Sequence, residues 1–390
     1  MNPALWLRRF DAFLAVATFA LSAAGVLLIY AAIHSVAAPH SVRAALGNLW
    51  RLQALYVITG AALMVLFSFI DYRFITRFYL YIYGVILLLL LLVLAVGGDD
   101  GTNVARWLRI PVPFIGTLSM QPSEFSKIFM ILFLAKLLAI HKEKFNKPLY
   151  LFMVVVTILL PFLLVAMQPS LSAAIVILSI SLIVLFVGGL HSKAILVGGI
   201  ILVPAAVLTW IDMQRAEPLF LTRILGGFQW RRIETFVNPI PGSYAFLQTE
   251  GSLYAITSGG FTGLGFLNSP HIILGHNDFI FAVAASQFGF VGAMALLGAV
   301  AFLIVRCIII AKNTACPEGR LIAAGVAGML IIETFFHVGV VTNLIPNTGM
   351  PFPFLSYGGS MIWVHMIAIG IVLSVRTHGA PSKHVKDDAV

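Results

Sequence analysis

Few residues in this 390-residue chain can do acid–base or charge chemistry, and where they stand is informative. Glu124 and Lys127 lie in Gln121-Pro122-Ser123-Glu124-Phe125-Ser126-Lys127. Pro122 suits the first turn of a helix, where its missing N–H is not needed. The i, i+3 spacing then puts acid and base on one face. Spacing alone favours an ion pair within the helix at the membrane interface over a pair lining a polar cavity. Asp278 closes the polar run Gly275-His276-Asn277 and opens the apolar run Phe279-Ile280-Phe281. Residue type alone favours helix capping there. A general base is the chemical alternative, or a metal ligand together with His276. Glu333 and His337 stand four apart and face the same way. They read as a buried pair satisfying each other, with a proton relay as the sharper alternative. Lys136, near the inner end of its helix, is expected to snorkel.

The elements that must position these groups are set by composition. Sixty per cent of residues are hydrophobic and 10% charged, against about 25% charged in an average soluble chain. That excludes a soluble enzyme, a disordered regulator and a disulfide-stapled secreted domain. It leaves an all-α polytopic integral membrane protein. The net charge of +9 fits the bias of cytoplasmic loops toward Lys and Arg, so no nucleic-acid partner is expected. Cys307 and Cys316 flank a short basic loop placed in the cytoplasm, where thiols stay reduced. Neither is expected in a disulfide or a metal site. The first apolar run is long enough to span and lacks a small-residue cleavage site, so no cleaved signal peptide is expected. No phosphate-cradling glycine loop with a following Lys is present, nor HExxH.

A spanning helix needs about 20 mostly apolar residues. Ten candidates run roughly 13–34, 52–70, 75–96, 122–140, 149–167, 169–189, 194–211, 278–311, 321–343 and 358–375. The eighth is too long for one straight helix in lipid, so its first turns are expected at the outer interface. The joint at Gln168-Pro169-Ser170 is the weakest boundary. The Lys and Arg distribution favours both termini inside. Large outer loops then follow helices 3 and 7, at roughly 97–121 and 212–277. Residues 1–378 form one transmembrane domain and 379–390 a cytoplasmic tail. Between Pro346 and Ser360 stand three prolines and three glycines in an apolar stretch. Irregular backbone at membrane depth survives only where protein or water covers it, so this segment reads as a re-entrant or cavity-lining loop.

With these residues in view, the chain resembles the SEDS family, the polytopic proteins typified by RodA and FtsW. The resemblance runs nearly end to end, from Ile70-Asp71-Tyr72-Arg73 to Thr377-His378. Ala105-Arg106-Trp107-Leu108 resembles the Arg-Trp step of the first large outer loop. Gln121 to Lys127 fits QPSE-x-x-K. Arg232 through Pro239 resembles the opening of the main outer loop, and Ser258-Gly259-Gly260 its SGG. Asp278 to Val283 fits DFIFAV, and Pro346 to Ser360 fits P-x-TG-x-P-x-P-x-x-SYGGS.

The resemblance implies a peptidoglycan glycosyltransferase of the bacterial cytoplasmic membrane. Such a protein polymerises lipid II at the outer face, beside a class B penicillin-binding protein. It implies Asp278 as the catalytic acidic residue and Arg106, Trp107, Glu124, Lys127 and Ser356 as substrate contacts. Glycosyl transfer needs a base for the acceptor hydroxyl, which Asp278 could be. It also needs charge against the departing diphosphate. Lys127, Arg106, Arg109 or a divalent cation, Mg or Mn, could supply that. A lipid II flippase and a non-catalytic scaffold are the alternatives. The short N-terminus and the Thr377-His378 ending point toward the rod-shape rather than the division member. The chain departs from the family pattern at Ser170, Asn277, Ser286, Gln287, His337 and Gly251, where other residues are usual. The lost carboxylates bear on any metal site or substrate contact.

Overall fold

A computed structural model describes residues 9–96, 106–112, 116–143, 147–168, 170–191, 208, 211–212, 215, 227–239 and 241–379. The chain begins with α1 (Ala12–His34), α2 (His40–Leu46), α3 (Leu49–Phe69), α4 (Tyr72–Thr76) and α5 (Tyr79–Val96). A hairpin of β1 (Leu108–Val112) and β2 (Gly116–Met120) leads into α6 (Pro122–Ile140), α7 (Pro148–Met167) and α8 (Leu171–Val187). Next come α9 (Gly227–Val237), α10 (Tyr244–Gly259), α11 (Ile280–Asn313), α12 (Pro317–Val341) and α13 (Gly359–His378). Nine of the ten expected spans are thereby matched by helices. The expectation at 194–211 lies almost wholly outside the described residues. The expected break near Gln168 separates α7 from α8, and the Gln168 amide donates to the Leu90 carbonyl at 2.9 Å.

Helix starts follow local chemistry. Asp11 caps α1 by accepting from the Leu14 N–H at 3.2 Å, and Ser243 caps α10 by accepting from Phe246 at 3.3 Å. Pro122, Pro148 and Pro317 open α6, α7 and α12, where a proline costs no hydrogen bond. The bundle is layered around α13, most of which is buried, while α5 turns most of its surface outward. α13 packs chiefly on α3, and α12 lies between α8 and α11. Gly370 and Gly60 allow the close approach of α13 to α3. A Cβ on Gly370 would sit 2.5 Å from the Met64 carbonyl oxygen.

Both termini of the helical bundle meet at one end. There the buried carboxylate of Asp11 is paired with Arg306 and Arg376. Glu318 at the same end pairs with Lys136 at 2.9 Å and accepts from Thr76. Lys136 is thus tied to an acid rather than simply snorkelling. Two termini at one end require an even number of crossings, with both ends of the bundle on the same side.

The first large outer loop carries a short hairpin: β1 and β2 pair antiparallel from Leu108↔Met120 to Val112↔Gly116. Branched and apolar residues in Leu-Arg-Ile-Pro-Val favour extended backbone over helix there. The eighth span is one apolar run but two helices, broken at Gly289 (φ 65°, ψ −165°). Residues 280–287 are all buried in the protein. The break leaves amides and carbonyls without helical partners, and the turn after α10 supplies them. Leu264 and Gly265 donate to the Ser286 and Gln287 carbonyls at 2.9 and 3.0 Å. Phe290 and Val291 donate to Gly260 and Phe261 at 2.9 and 3.2 Å. Every backbone group at membrane depth needs such a partner.

A side chain at Gly289 would meet the Gly263 nitrogen and the Phe261 carbonyl oxygen, both at 2.4 Å, from a backbone conformation disfavoured for L-residues. Gly289→Ala is therefore expected to destabilise the protein by at least about 1–3 kcal/mol. A lowered melting temperature in detergent checks this; an unchanged one contradicts it.

Candidate functional site

Opposite the paired termini, the ends of α6, α8, α11 and α13 surround a polar cavity of about 210 Å³. Its walls include Arg106, Trp107, Gln121, Glu124, Ser170, Ser172, Arg232, Asn277, Asp278, Gly349, Tyr357 and Ser360. The elements place these groups by hydrogen bonds from distant sequence. Gln121 N–H donates to the Ser360 hydroxyl at 3.1 Å, joining the start of α6 to that of α13. Ser172 donates to the Thr348 carbonyl at 3.0 Å, and Tyr357 N–H to the His276 carbonyl at 3.0 Å. Gln53 of α3 clamps the breaker-rich segment from both sides. Its amide donates to the Ser356 carbonyl and its oxygen accepts from Gly358 N–H, each at 3.1 Å. That segment is cavity-lining, as its composition suggests. Phe352, Phe354 and Leu355 face into the protein, and Gly349 to Pro351 and Tyr357 to Gly358 form the wall.

Asp278 does not cap α11. The cap position is Phe279, without a side-chain hydrogen bond. The carboxylate faces the cavity at 8% exposure, between the fields of Arg232 and Arg106. Burial lifts its carboxyl above the usual range, and Arg232 and then Arg106 pull it back down. Gly349 lies against both: a Cβ there would sit 2.9 Å from Arg232 Nη1 and 3.3 Å from Asp278 Oδ2. Burial, and then Arg232 beside it, push Arg106 down to about 10, which leaves it a cation at neutral pH. His276 is pushed down to about 4 by burial and then by His271, so it is neutral there.

Arg106 and Arg232 also line a second recess of about 220 Å³ with Leu171, Ile175, Ile233, Phe336, Ile345 and Pro346. This recess is almost wholly apolar. The two guanidiniums thus stand where a polar cavity adjoins an apolar one. Arg232 lines the cavity beside Asp278 and is not among the site residues that the sequence implies. Its place in the run from Arg232 to Pro239 was recognised, but nothing local to α9 shows that it reaches Asp278.

Glu124 lines the cavity while Lys127 points away from it into the bundle. The Lys127 ammonium donates to Glu124 at 2.8 Å and to Glu333 of α12 at 2.5 Å, and is 1% exposed. Glu333 also meets His365 of α13, at 2.6 Å. The expected Glu333–His337 pair is therefore not formed. His337 Nδ1 instead lies 2.7 Å from the Met350 carbonyl and its ring packs edge-on to Phe352. Helical spacing brought both side chains to one face, but Glu333 is met by Lys127 of α6 and His365 of α13, and His337 by the backbone of the breaker-rich segment. Ser356 is wholly buried and does not line the cavity. Its hydroxyl donates to the Asn277 carbonyl at 2.6 Å and accepts from Phe352 N–H at 2.8 Å. Arg109 is exposed on β1. Cys307 and Cys316 are free thiols.

A resident divalent cation does not fit these residues. The cavity carboxylates are Glu124, committed to Lys127, and Asp278, faced by two guanidiniums. Among the described residues no three His, Cys, Asp or Glu side chains converge as ligands.

The FtsW/RodA/SpoVE family model, described as "Cell cycle protein", matches residues 12–380. A probable peptidoglycan glycosyltransferase FtsW of Trichlorobacter lovleyi is 30% identical over 378 residues, covering 95% of this chain and 93% of its own. The peptidoglycan glycosyltransferase MrdB of Escherichia coli K12 is 32% identical over 332 residues, covering 83% of this chain and 84% of its own. A solved chain described under "Structural coordination of polymerization and crosslinking by a peptidoglycan synthase complex" superposes with a TM-score of 0.74. It is 28% identical and covers 94% of this chain and 97% of its own.

Removing one member of a buried ion pair strands its partners. Lys127→Met leaves Glu124 and Glu333 buried without their ammonium and is expected to cost about 3–5 kcal/mol. Thermal unfolding in detergent checks this; a loss within experimental scatter contradicts it.

Proposed function

The chain belongs to the FtsW–RodA–SpoVE family of cell cycle proteins, and from that premise we propose that it polymerises lipid II by glycosyl transfer, as a multi-pass protein of the bacterial cytoplasmic membrane with the Asp278 cavity at the outer face. The observation that carries the reading is the junction of two cavities at Arg106 and Arg232. A lipid-linked sugar diphosphate has the same three-part polarity. Its sugar fits the polar cavity, its prenyl chain the apolar recess, and its diphosphate the two guanidiniums between them.

In this reading Asp278 is the general base. It takes the proton from a sugar hydroxyl of the acceptor as that oxygen attacks the anomeric carbon of the donor. The bond from that carbon to the diphosphate oxygen breaks, and the polyprenyl diphosphate leaves with the electron pair. Arg106 and Arg232 stabilise the charge that grows on it, in a site dry enough for charge interactions to count. The guanidiniums take the role in which Lys127 or a divalent cation was expected. Lys127 acts instead by holding Glu124 in the wall, where Glu124 and Trp107 contact the sugar. A flippase would need Glu124, Lys127 and Glu333 along one path, whereas Lys127 and Glu333 face each other inside the bundle. FtsW- and MrdB-named relatives match at 30% and 32% identity, so the proposal covers the chemistry common to both. A class B penicillin-binding protein is the proposed partner, supported by the likeness to a chain from a synthase complex.

Asp278→Asn is expected to abolish lipid II polymerisation by the purified protein without lowering its melting temperature. Retained polymerisation excludes Asp278 as the base. A base works only when ionised, so activity falls as pH drops through the Asp278 pKa. Arg232 lowers that pKa, so Arg232→Gln is expected to move the acid limb of the pH–rate profile to higher pH. A limb that stays in place, or moves to lower pH, contradicts the pairing.

A further inference from the structure

Four ionisable side chains from three helices meet inside the bundle. Lys127 Nζ reaches Glu124 Oε2 at 2.8 Å and Glu333 Oε1 at 2.5 Å. The second oxygen of Glu333 lies 2.6 Å from His365 Nε2, and His365 Nδ1 lies 2.7 Å from the Met361 carbonyl oxygen. None of the four is more than 5% exposed. Phe354 closes another side of the imidazole, with ring centroids 5.1 Å apart. Among the described residues, the charges facing this ring from α6 and α12 are Lys127, Glu124 and Glu333.

The two contacts of the ring decide its protons. A carbonyl oxygen only accepts, so Nδ1 must donate. The oxygen opposite Nε2 belongs to a carboxylate whose other oxygen accepts from an ammonium, which favours the ionised form. Nε2 must then donate as well. A neutral ring with its hydrogen on Nδ1 would set a lone pair against a carboxylate lone pair at 2.6 Å. Charge balance leads to the same state. Two carboxylates and one ammonium leave an unbalanced negative charge at membrane depth, where it is costly. An imidazolium removes the imbalance.

We propose that His365 carries both ring protons and forms with Glu333 a positioning unit. The unit completes a neutral quartet, anchors Lys127, and through Lys127 holds Glu124 in the cavity wall. Neither Glu333 nor His365 lines the cavity, so both act through another residue. The catalytic consequence rests on the proposed polymerase reading, whereas the protonation state does not.

Two measurements on the full-length protein in nanodiscs test this. The first is the ¹⁵N spectrum of histidine-labelled protein, with the His365 signals identified by subtracting the spectrum of His365→Leu, or of His365→Gln if the Leu variant does not fold. The expected result is two protonated ring nitrogens near pH 7 that revert to one in Glu333→Gln. A neutral ring in the unmodified protein overturns the proposal. The second is lipid II polymerisation. His365→Leu leaves the carboxylate unbalanced and is expected to lower kcat/KM by about tenfold, chiefly through KM. The double variant Glu333→Gln/His365→Leu leaves Lys127 to Glu124 alone, neutral again, and is expected to recover most of that loss. Losses that multiply in the double variant overturn the pairing as a unit. An unmodified protein that does not polymerise lipid II counts against the functional reading, and the spectra still decide the state of His365.

Discussion

A charged group inside this bundle has no water to turn to, and the arrangement of the helices answers that constraint. Lys127 is the clearest case. Its ammonium is surrounded by protein, and it takes one carboxylate from its own helix and one from α12. The second carboxylate needs a further partner, which α13 supplies as His365. The three helices α6, α12 and α13 are thereby fixed at one point and in one rotational setting. The net stability of such a cluster is small, because desolvation offsets most of the attraction, but breaking it is expensive. It therefore specifies one packing more than it strengthens the fold. At the opposite end of the bundle, Asp11 with Arg306 and Arg376 ties the first helix to the ends of α11 and α13.

The cavity follows from this scaffold. Glu124 has its place in the wall because Lys127 is held behind it. The broken α11 has its first turns buried against the breaker-rich segment, where Phe281 and Phe352 stack at 5.9 Å with their planes parallel. That contact brings Asp278 beside Gly349, where the lack of a side chain leaves room for Arg232. Asp278 is thus a carboxyl in a buried wall, its pKa raised by that burial and drawn the other way by two guanidiniums. An acid in that position is poised to exchange a proton, and the same two cations are placed to meet a second anion.

Much of the fold was legible in the sequence because the bilayer imposes simple rules on length and polarity. Nine expected spans coincide with helices to within a few residues, and the irregular segment from Pro346 to Ser360 lines a cavity as its prolines and glycines imply. Motif resemblance singled out Asp278, Arg106, Trp107 and Glu124, which line one cavity. What was not legible depends on long-range contact. Glu333 and His337 share a helix face, but Lys127 and His365 take the first and the Met350 carbonyl the second. Ser356 belongs to a recognisable motif yet spends its hydroxyl on the Asn277 and Phe352 backbones. Arg232 lines the cavity from α9, which no local motif shows to lie beside Asp278. The break at Gly289 lies in an unbroken apolar run, and the partners that make it tolerable come from the turn at 260–265.

In the proposed reaction a lipid-linked diphosphate lies between Arg106 and Arg232 with its sugar toward Asp278. The most direct measurement is a structure of the Asp278→Asn protein bound to lipid II in a nanodisc. The diphosphate is expected between the two guanidiniums and the prenyl chain in the recess formed by Leu171, Ile175, Phe336 and Ile345. A diphosphate bound elsewhere on the molecule, with the Arg106–Arg232 junction filled by protein or lipid alone, would contradict it.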